Sequence, residues 1–279
     1  MYTLRFILPV CLLAAAGLSG LAAGSLTLAD VPAATQKTIS LQAGAATVAD
    51  IIRNEDAGET AFDVSCTNQA GDEQDFTVAD DGTLLSVEVE LAETPAAVQQ
   101  AIRAQAPGWE LESIDKNVTD PELAYEVEVS KDGVDRTFTL AADGVLLSRE
   151  LQLTNAPAPV QAAIKEHLAD GSLQSVCENI DTEGNTYDIE VKTADGGKNS
   201  FSLAADGKLL SREVTLAEVP PGARKTIEAR LGDGRILRID KSLSEKRAGV
   251  LPFEVQGRKA GKPFNFSVGP RGKFLGMDD

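Results

Sequence analysis

Carboxylates at alternate positions are the residues of this chain best placed to do chemistry. Tyr125-Glu126-Val127-Glu128-Val129 and Tyr187-Asp188-Ile189-Glu190-Val191 alternate apolar and acidic, the pattern of a strand with one face in a core and the other in water. With the apolar members turned inward, Glu126, Glu128, Asp188 and Glu190 must share the outer face. Thr139 and Ser202 join them from the next strands, and Ser148/Glu150 and Ser211/Glu213 from the strands after those. Such a face can receive a cationic partner or simply be wet. Other chemistries are thin. His167 is the only histidine, and one imidazole without companions builds no usual zinc site. Asp72-Glu73-Asp75 and Asp80-Asp81-Gly82 lack the ligand spacing of a calcium hand. No glycine-rich phosphate loop and no nucleophile elbow occurs. The expectation is no catalytic residue, no cofactor and no metal.

A basic set stands apart. Arg224, Lys225, Arg230, Arg235, Arg238 and Lys241, with Lys246 and Arg247, crowd the last quarter. Residues 28–90 hold 13 acidic and 2 basic side chains, a net of −11, whereas 215–279 hold 8 and 13, a net of +5. The two quarters between are at −7 and −5. An acidic body repels nucleic acid, whose phosphates need Lys and Arg. The basic end is read as neutralising its neighbour and as touching something anionic outside, either an acidic envelope surface or the first quarter of another copy.

The elements that must position these groups recur. Phe76, Phe138, Phe201 and Phe266 each precede a glycine by six: Gly82, Gly144, Gly207 and Gly272, which are 62, 63 and 65 residues apart. Pro32, Pro95, Pro157 and Pro220 each precede an isoleucine by seven. A fixed period of this size marks one supersecondary unit copied in tandem. In the cleanest copy Thr94 and Pro95 open a helix with Val98 and Ile102 on one face, and Pro107-Gly108 stops it. Leu111 and Ile114 mark a first strand, Tyr125–Val129 a second and Phe138–Leu140 a third; Leu146–Leu153 is the last. Lys131-Asp132-Gly133 reads as a turn, and Asp143-Gly144 as a two-residue type I′ hairpin. The helix before Gly44 loses its periodicity early and is the least regular. The expected fold is α+β: tandem repeats of one helix packed on a four-stranded antiparallel meander. The copies are 25–90 (divergent), 91–151, 152–214 and 215–279 (basic).

Residues 1–24 read as a signal peptide, with Arg5, an apolar Phe6–Leu18 and small residues at Ala22-Ala23-Gly24. Nothing later is apolar enough to re-enter a bilayer. Cys66 aligns with Val129 and Val191 and reads as a small buried hydrophobe. Cys177 aligns with Asp115 and Asp240 and reads as more exposed, so the two are not expected to pair.

The Leu111/Ile114 pair, Tyr125-Glu126-Val127 and Ala142-Asp143-Gly144-Val145-Leu146 resemble the PepSY superfamily, and more closely its PepSY-like branch with the β-lactamase-inhibitor-protein fold. Tyr187-Asp188-Ile189 with Ala205-Asp206-Gly207, and Phe253-Glu254-Val255 with Gly272-Lys273-Phe274, carry the same likeness; Arg271 stands where Asp is usual. The resemblance implies an exported bacterial protein, periplasmic or secreted, that is no enzyme. It implies binding or restraint of a protein partner, such as a secreted hydrolase or envelope protein, through the sheet surface. The alternative is a structural, self-associating envelope protein.

Overall fold

The computed structural model describes residues 26–56, 59–119, 124–168, 170–182, 184–194, 196–244, 246–259 and 262–277. Helix α1 (Ala33–Ala43) precedes β1 (Thr47–Asp56), β2 (Glu59–Thr67), β3 (Glu73–Ala79) and β4 (Leu84–Glu88). Helix α2 (Ala96–Gln105) precedes β5 (Glu110–Asn117), β6 (Tyr125–Lys131), β7 (Val134–Leu140) and β8 (Leu146–Glu150). Next come α3 (Ala158–His167), β9 (Ser172–Asn179), β10 (Thr186–Lys192), β11 (Lys198–Ala204) and β12 (Leu209–Glu213). Last are α4 (Pro221–Leu231), β13 (Arg235–Ser242), β14 (Phe253–Lys259), β15 (Lys262–Pro263), β16 (Phe266–Val268) and β17 (Phe274–Met277).

The chain makes two compact units, divided between Arg149 and Glu150. In the first, β1 to β8 pair in order, antiparallel throughout. This overturns the expected four-stranded meander under its own helix. β4 does not end a sheet: Ser86, Val87 and Glu88 pair with Asn117, Lys116 and Asp115 of β5. In the second unit Ser211, Arg212 and Glu213 likewise pair with Ser242, Lys241 and Asp240, and the sheet continues through β14, β16 and β17. The physical reason is the edge. A fourth strand left unpaired would expose a row of N–H and C=O groups, and the strand after the following helix fills that place. The architecture is therefore sheet-dominated, with strands running on past each helix.

The helices cover one face. Val98 and Ile102 of α2 bury against Ile114, Tyr125, Val127, Phe138 and Leu140; Val160 and Ile164 of α3 do so against Val176, Tyr187, Ile189 and Phe201. Helix α1 is more regular than its sequence suggests. It runs eleven residues and buries Thr35, Ile39 and Ala43, and the Thr35 hydroxyl donates to the Ala79 carbonyl at 3.0 Å.

Two local expectations are corrected. Pro95, not Thr94, is the cap of α2, and the Thr94 hydroxyl donates back to the Leu91 carbonyl at 2.9 Å. A short 3-10 turn, Leu91–Glu93, stands before the helix; Leu28–Asp30, Leu153–Asn155 and Leu216–Glu218 do the same before the others. The hairpin types are exchanged. Asp132 and Gly133 both have positive φ (54° and 75°), so they form the two-residue type I′ turn. After β7 only Gly144 is left-handed, at 82°, and a register shift follows Thr139. That is a turn closed by a bulge, not a two-residue hairpin. A Cβ on Gly144 would stand 2.7 Å from the Ala97 carbonyl oxygen. Glycine is required there because the turn presses on the first turn of α2.

Candidate functional site

Directly opposed strand residues share a face, so the register defines rows across each sheet. In the first unit one row on the face away from the helices reads Ser65, Asp75, Glu88, Asp115, Glu126, Thr139, Ser148. Glu88 reaches Asp75 through a side-chain hydrogen bond. Asp63 and Glu128 stand one row to either side. Four carboxylates on four consecutive strands thus lie side by side. From β2 to β7 the register places no Lys or Arg on this face; apart from the pair Ala61 and Ala79, its paired positions beside the row are acidic, hydroxyl or amide residues.

The electrostatic consequence is visible at Glu88. Burial pushes its carboxyl up to about 7, reinforced by the charges of Asp75, Asp115 and Glu90 and by the hydrogen bond with Asp75. Burial, then Asp63 and Asp75, also raise Asp115, against a hydrogen bond from Ser113. Asp63 is raised by burial although Thr77 and Asn54 donate to it. One oxygen of Asp75, Oδ1, is buried and makes no hydrogen bond.

The second unit repeats three of the four carboxylates, as Glu213, Asp240 and Glu254, with Ser200 in the place of Asp75. Ser175, Glu190, Ser200, Glu213, Asp240, Glu254 and Ser267 stand in register, and the Ser200 hydroxyl donates to Glu213 at 2.9 Å. Here a cation sits on the face. Arg238 Nη2 donates to Asp240 Oδ1 at 2.8 Å, and its Nε lies 2.7 Å from Oδ2 without the alignment of a hydrogen bond. Burial works against the Arg238 charge, but Asp240, Glu213 and Asp188 outweigh it and hold the guanidinium above its ordinary value. Arg247 Nη1 donates to the Ser267 hydroxyl at 2.8 Å. Counting two positions back from Asp115 and Asp240, Ser113 occupies in the first unit the place of Arg238.

The residues expected from the sequence fall on this frame. Glu126, Glu128 and Thr139 lie on the acidic face of the first unit. Asp188, Glu190, Ser202 and Glu213 lie on the face that Arg238 partly neutralises, where Asn179 donates to Asp188 at 2.6 Å and Ser202 also donates to it. Burial, then Glu190, raises the Glu150 carboxyl. The basic set is not brought together. Arg224 donates to the Ala217 and Val219 carbonyls at 2.7 and 3.1 Å, Arg230 lies 3.3 Å over the Phe274 ring, and Lys225 and Arg235 are exposed. Lys241 pairs in register with Arg212, while Arg238 faces away from α4, because its neighbour Ile239 is the one packed in that core.

Asp75, Glu88 and Asp115 are the members that sequence reasoning left out. A signal for two of them was present: Glu88 stands where Glu150 and Glu213 stand, and Asp115 where Asp240 does. Cys177 is corrected too, since it is 2% exposed rather than open, and Cys66 is fully buried. His167 is exposed and meets Phe201 edge-on at 5.5 Å. Among the described residues no group of three or more His, Cys, Asp or Glu is arranged to hold a metal ion. None of the described helices is long and apolar enough to cross a membrane.

No protein-family model matches the chain, and no curated protein does. Solved structures do. A BLIP-like protein from Bacteroides fragilis matches 43% of this chain and 84% of its own at 19% identity, with a TM-score of 0.31. A DUF2874 family protein from Bacteroides uniformis covers 42% and 86% at 18% identity and 0.31. A supposed periplasmic protein from Bacteroides eggerthii covers 43% and 87% at 20% identity and 0.32. Each alignment spans less than half of this chain, and membership of the PepSY superfamily is not shown.

Proposed function

We propose that this is an exported, non-catalytic binding protein of the bacterial envelope, whose first unit receives a Lys- or Arg-bearing segment of a partner protein on its acidic sheet face. One observation carries the reading. Three carboxylates of the row, Glu88, Asp115 and Glu126, recur in the second unit as Glu213, Asp240 and Glu254, but Arg238 serves them there and Ser113 stands in that place in the first. A row of half-buried carboxylates that repel one another gains most from a cation brought from outside. The leader-like residues 1–24 support export, and the low aromatic content of the face suits a polar, charge-matched contact rather than an apolar anchor.

Calorimetric titration of chain 25–279 with an oligolysine peptide tests this, with oligoglutamate as control. The reading expects saturable oligolysine binding that is lost in the variant Asp75→Asn/Glu88→Gln/Asp115→Asn/Glu126→Gln and absent for oligoglutamate. Equal binding by the neutralised variant would contradict it. A carboxyl near neutrality beside ionised ones also resembles a prepared general acid; hydrolase activity lost in Glu88→Gln would replace the binding reading.

A further inference from the structure

The joints between β4 and β5 and between β12 and β13 use only three register pairs each. They are followed by a main-chain bond, Val89 N–H to the Ile114 carbonyl at 2.8 Å and Val214 N–H to the Ile239 carbonyl at 2.8 Å. Strand β1 shows the same last bond, from Leu26 N–H to the Ile51 carbonyl at 3.0 Å. Among the described residues, no strand then pairs along the outer side of β1 from Ile52 to Asp56, whose inner side holds β2. At the other end β17 pairs with β16 on one side and with no described strand on the other.

The two open edges are the two halves of one joint. Aligning the bonds from Leu26, Val89 and Val214 places Arg53 where Lys116 and Lys241 stand, and Asn54 where Asn117 and Ser242 stand. Aligning β17 on β16 as β12 lies on β11 places Gly276 where Ser211 stands and Met277 where Arg212 stands. We propose that β17 of one copy adds to the open edge of β1 of a second copy, with Gly276 opposite Asn54 and Met277 opposite Arg53, so that copies join head to tail.

The side chains suit this register. Met277 against Arg53 repeats Val87 against Lys116, and Gly276 against Asn54 repeats the small-to-polar pair Ser86 and Asn117. Met277 is 44% exposed, a large apolar side chain that the joint would lay beside the aliphatic stem of Arg53 on the same face. Charge complementarity favours this occupant over others: the quarter holding β1 is at −11 and the quarter holding β17 at +5, with Arg230 over Phe274 and the Arg247 guanidinium beside Gly276. A heterologous contact of this kind propagates rather than closing on itself. The edge of β1 also carries charged residues that deter pairing with unrelated strands, which makes a register-matched copy the selective partner.

The outward main-chain groups of β1 are those of Ile51, Arg53 and Glu55, because Ile51 gives its carbonyl to Leu26. Arg53→Pro therefore removes an outward N–H while leaving the β1–β2 ladder whole, and Met277→Pro does the same on β17. Light scattering on chain 25–279 at low salt should show a mass-average rising above the single-chain value as concentration approaches millimolar. Either proline variant should hold that single-chain value with an unchanged far-ultraviolet spectrum. A second readout does not depend on proline folding. Mixed chains bearing Arg53→Cys and Met277→Cys should form a disulfide between copies faster than Leu41→Cys mixed with Met277→Cys. A wild-type mass that stays single at millimolar concentration overturns the proposal. So does association that survives Arg53→Pro, or cross-linking no faster than the control.

Discussion

Arg238 and Asp240 hold each other on the sheet face, Nη2 to Oδ1 at 2.8 Å, with Asp240 only 4% exposed. Breaking such a pair by removing one member leaves a buried charge without compensation. Arg238→Ala should lower stability by about 3 kcal/mol in urea unfolding, and Arg238→Ala/Asp240→Ala should recover much of it. If the single and double variants were equally stable, the pair would have no such role.

The first unit has the opposite problem. Glu88 ionises at about 7 in the folded chain against 4.5 ordinarily. Between those values the folded state keeps a proton that the unfolded state has lost, so stability falls as pH rises through that window. Glu88→Gln should therefore be more stable than wild type above about pH 7 and equal to it below about pH 4. Asp63 and Asp115, raised in the same direction, steepen the slope. Unfolding measured across that range would show it, and a flat difference between the two proteins would refute it.

Ser113→Arg should carry the device of the second unit into the first. With a guanidinium two residues before Asp115, the Glu88 carboxyl should titrate nearer its ordinary range, followed by carbon-detected NMR, and oligolysine should bind more weakly. An unmoved Glu88 would mean that the missing cation is not what raises it.

Glycine positions separate geometry from composition. Gly144→Ala puts a Cβ 2.7 Å from the Ala97 carbonyl at a φ of 82° and should cost about 3 kcal/mol. Gly133→Ala, at 75° with nothing within 4 Å, should cost about 1 kcal/mol from backbone strain alone. Equal losses in thermal unfolding would deny the pressure of the turn on α2.

Much of this was legible in the chain before its structure. Alternation around Tyr125 and Tyr187 placed Glu126, Glu128, Asp188 and Glu190 on one face, and Tyr125, Phe138, Ile102 and Val127 do meet in one core. Period-two patterning states which face a side chain takes, because the pleat enforces it. It does not state which strand lies alongside. The pairing of Glu88 with Asp115 spans a helix and 27 residues, and nothing local to either residue encodes it. That is why the long sheet was missed and, with it, the row Asp75–Glu88–Asp115–Glu126. The basic quarter misled for a related reason. Its charge count was plain, but Arg224 bonds carbonyls, Arg230 covers a ring and Arg238 serves the opposite face.

On the proposed reading the acidic row Asp75–Glu88–Asp115–Glu126 of the first unit is a docking surface for positive charge. Amide chemical shifts of isotope-labelled chain 25–279, titrated with an oligolysine peptide, test it most directly. The account predicts that perturbations concentrate on β3 to β6 around Asp75, Glu88, Asp115 and Glu126, weaken as pH falls below about 7, and spare β12 to β14 where Arg238 sits. Perturbations centred on β12 to β14, or none on β3 to β6 at saturating peptide, would contradict it.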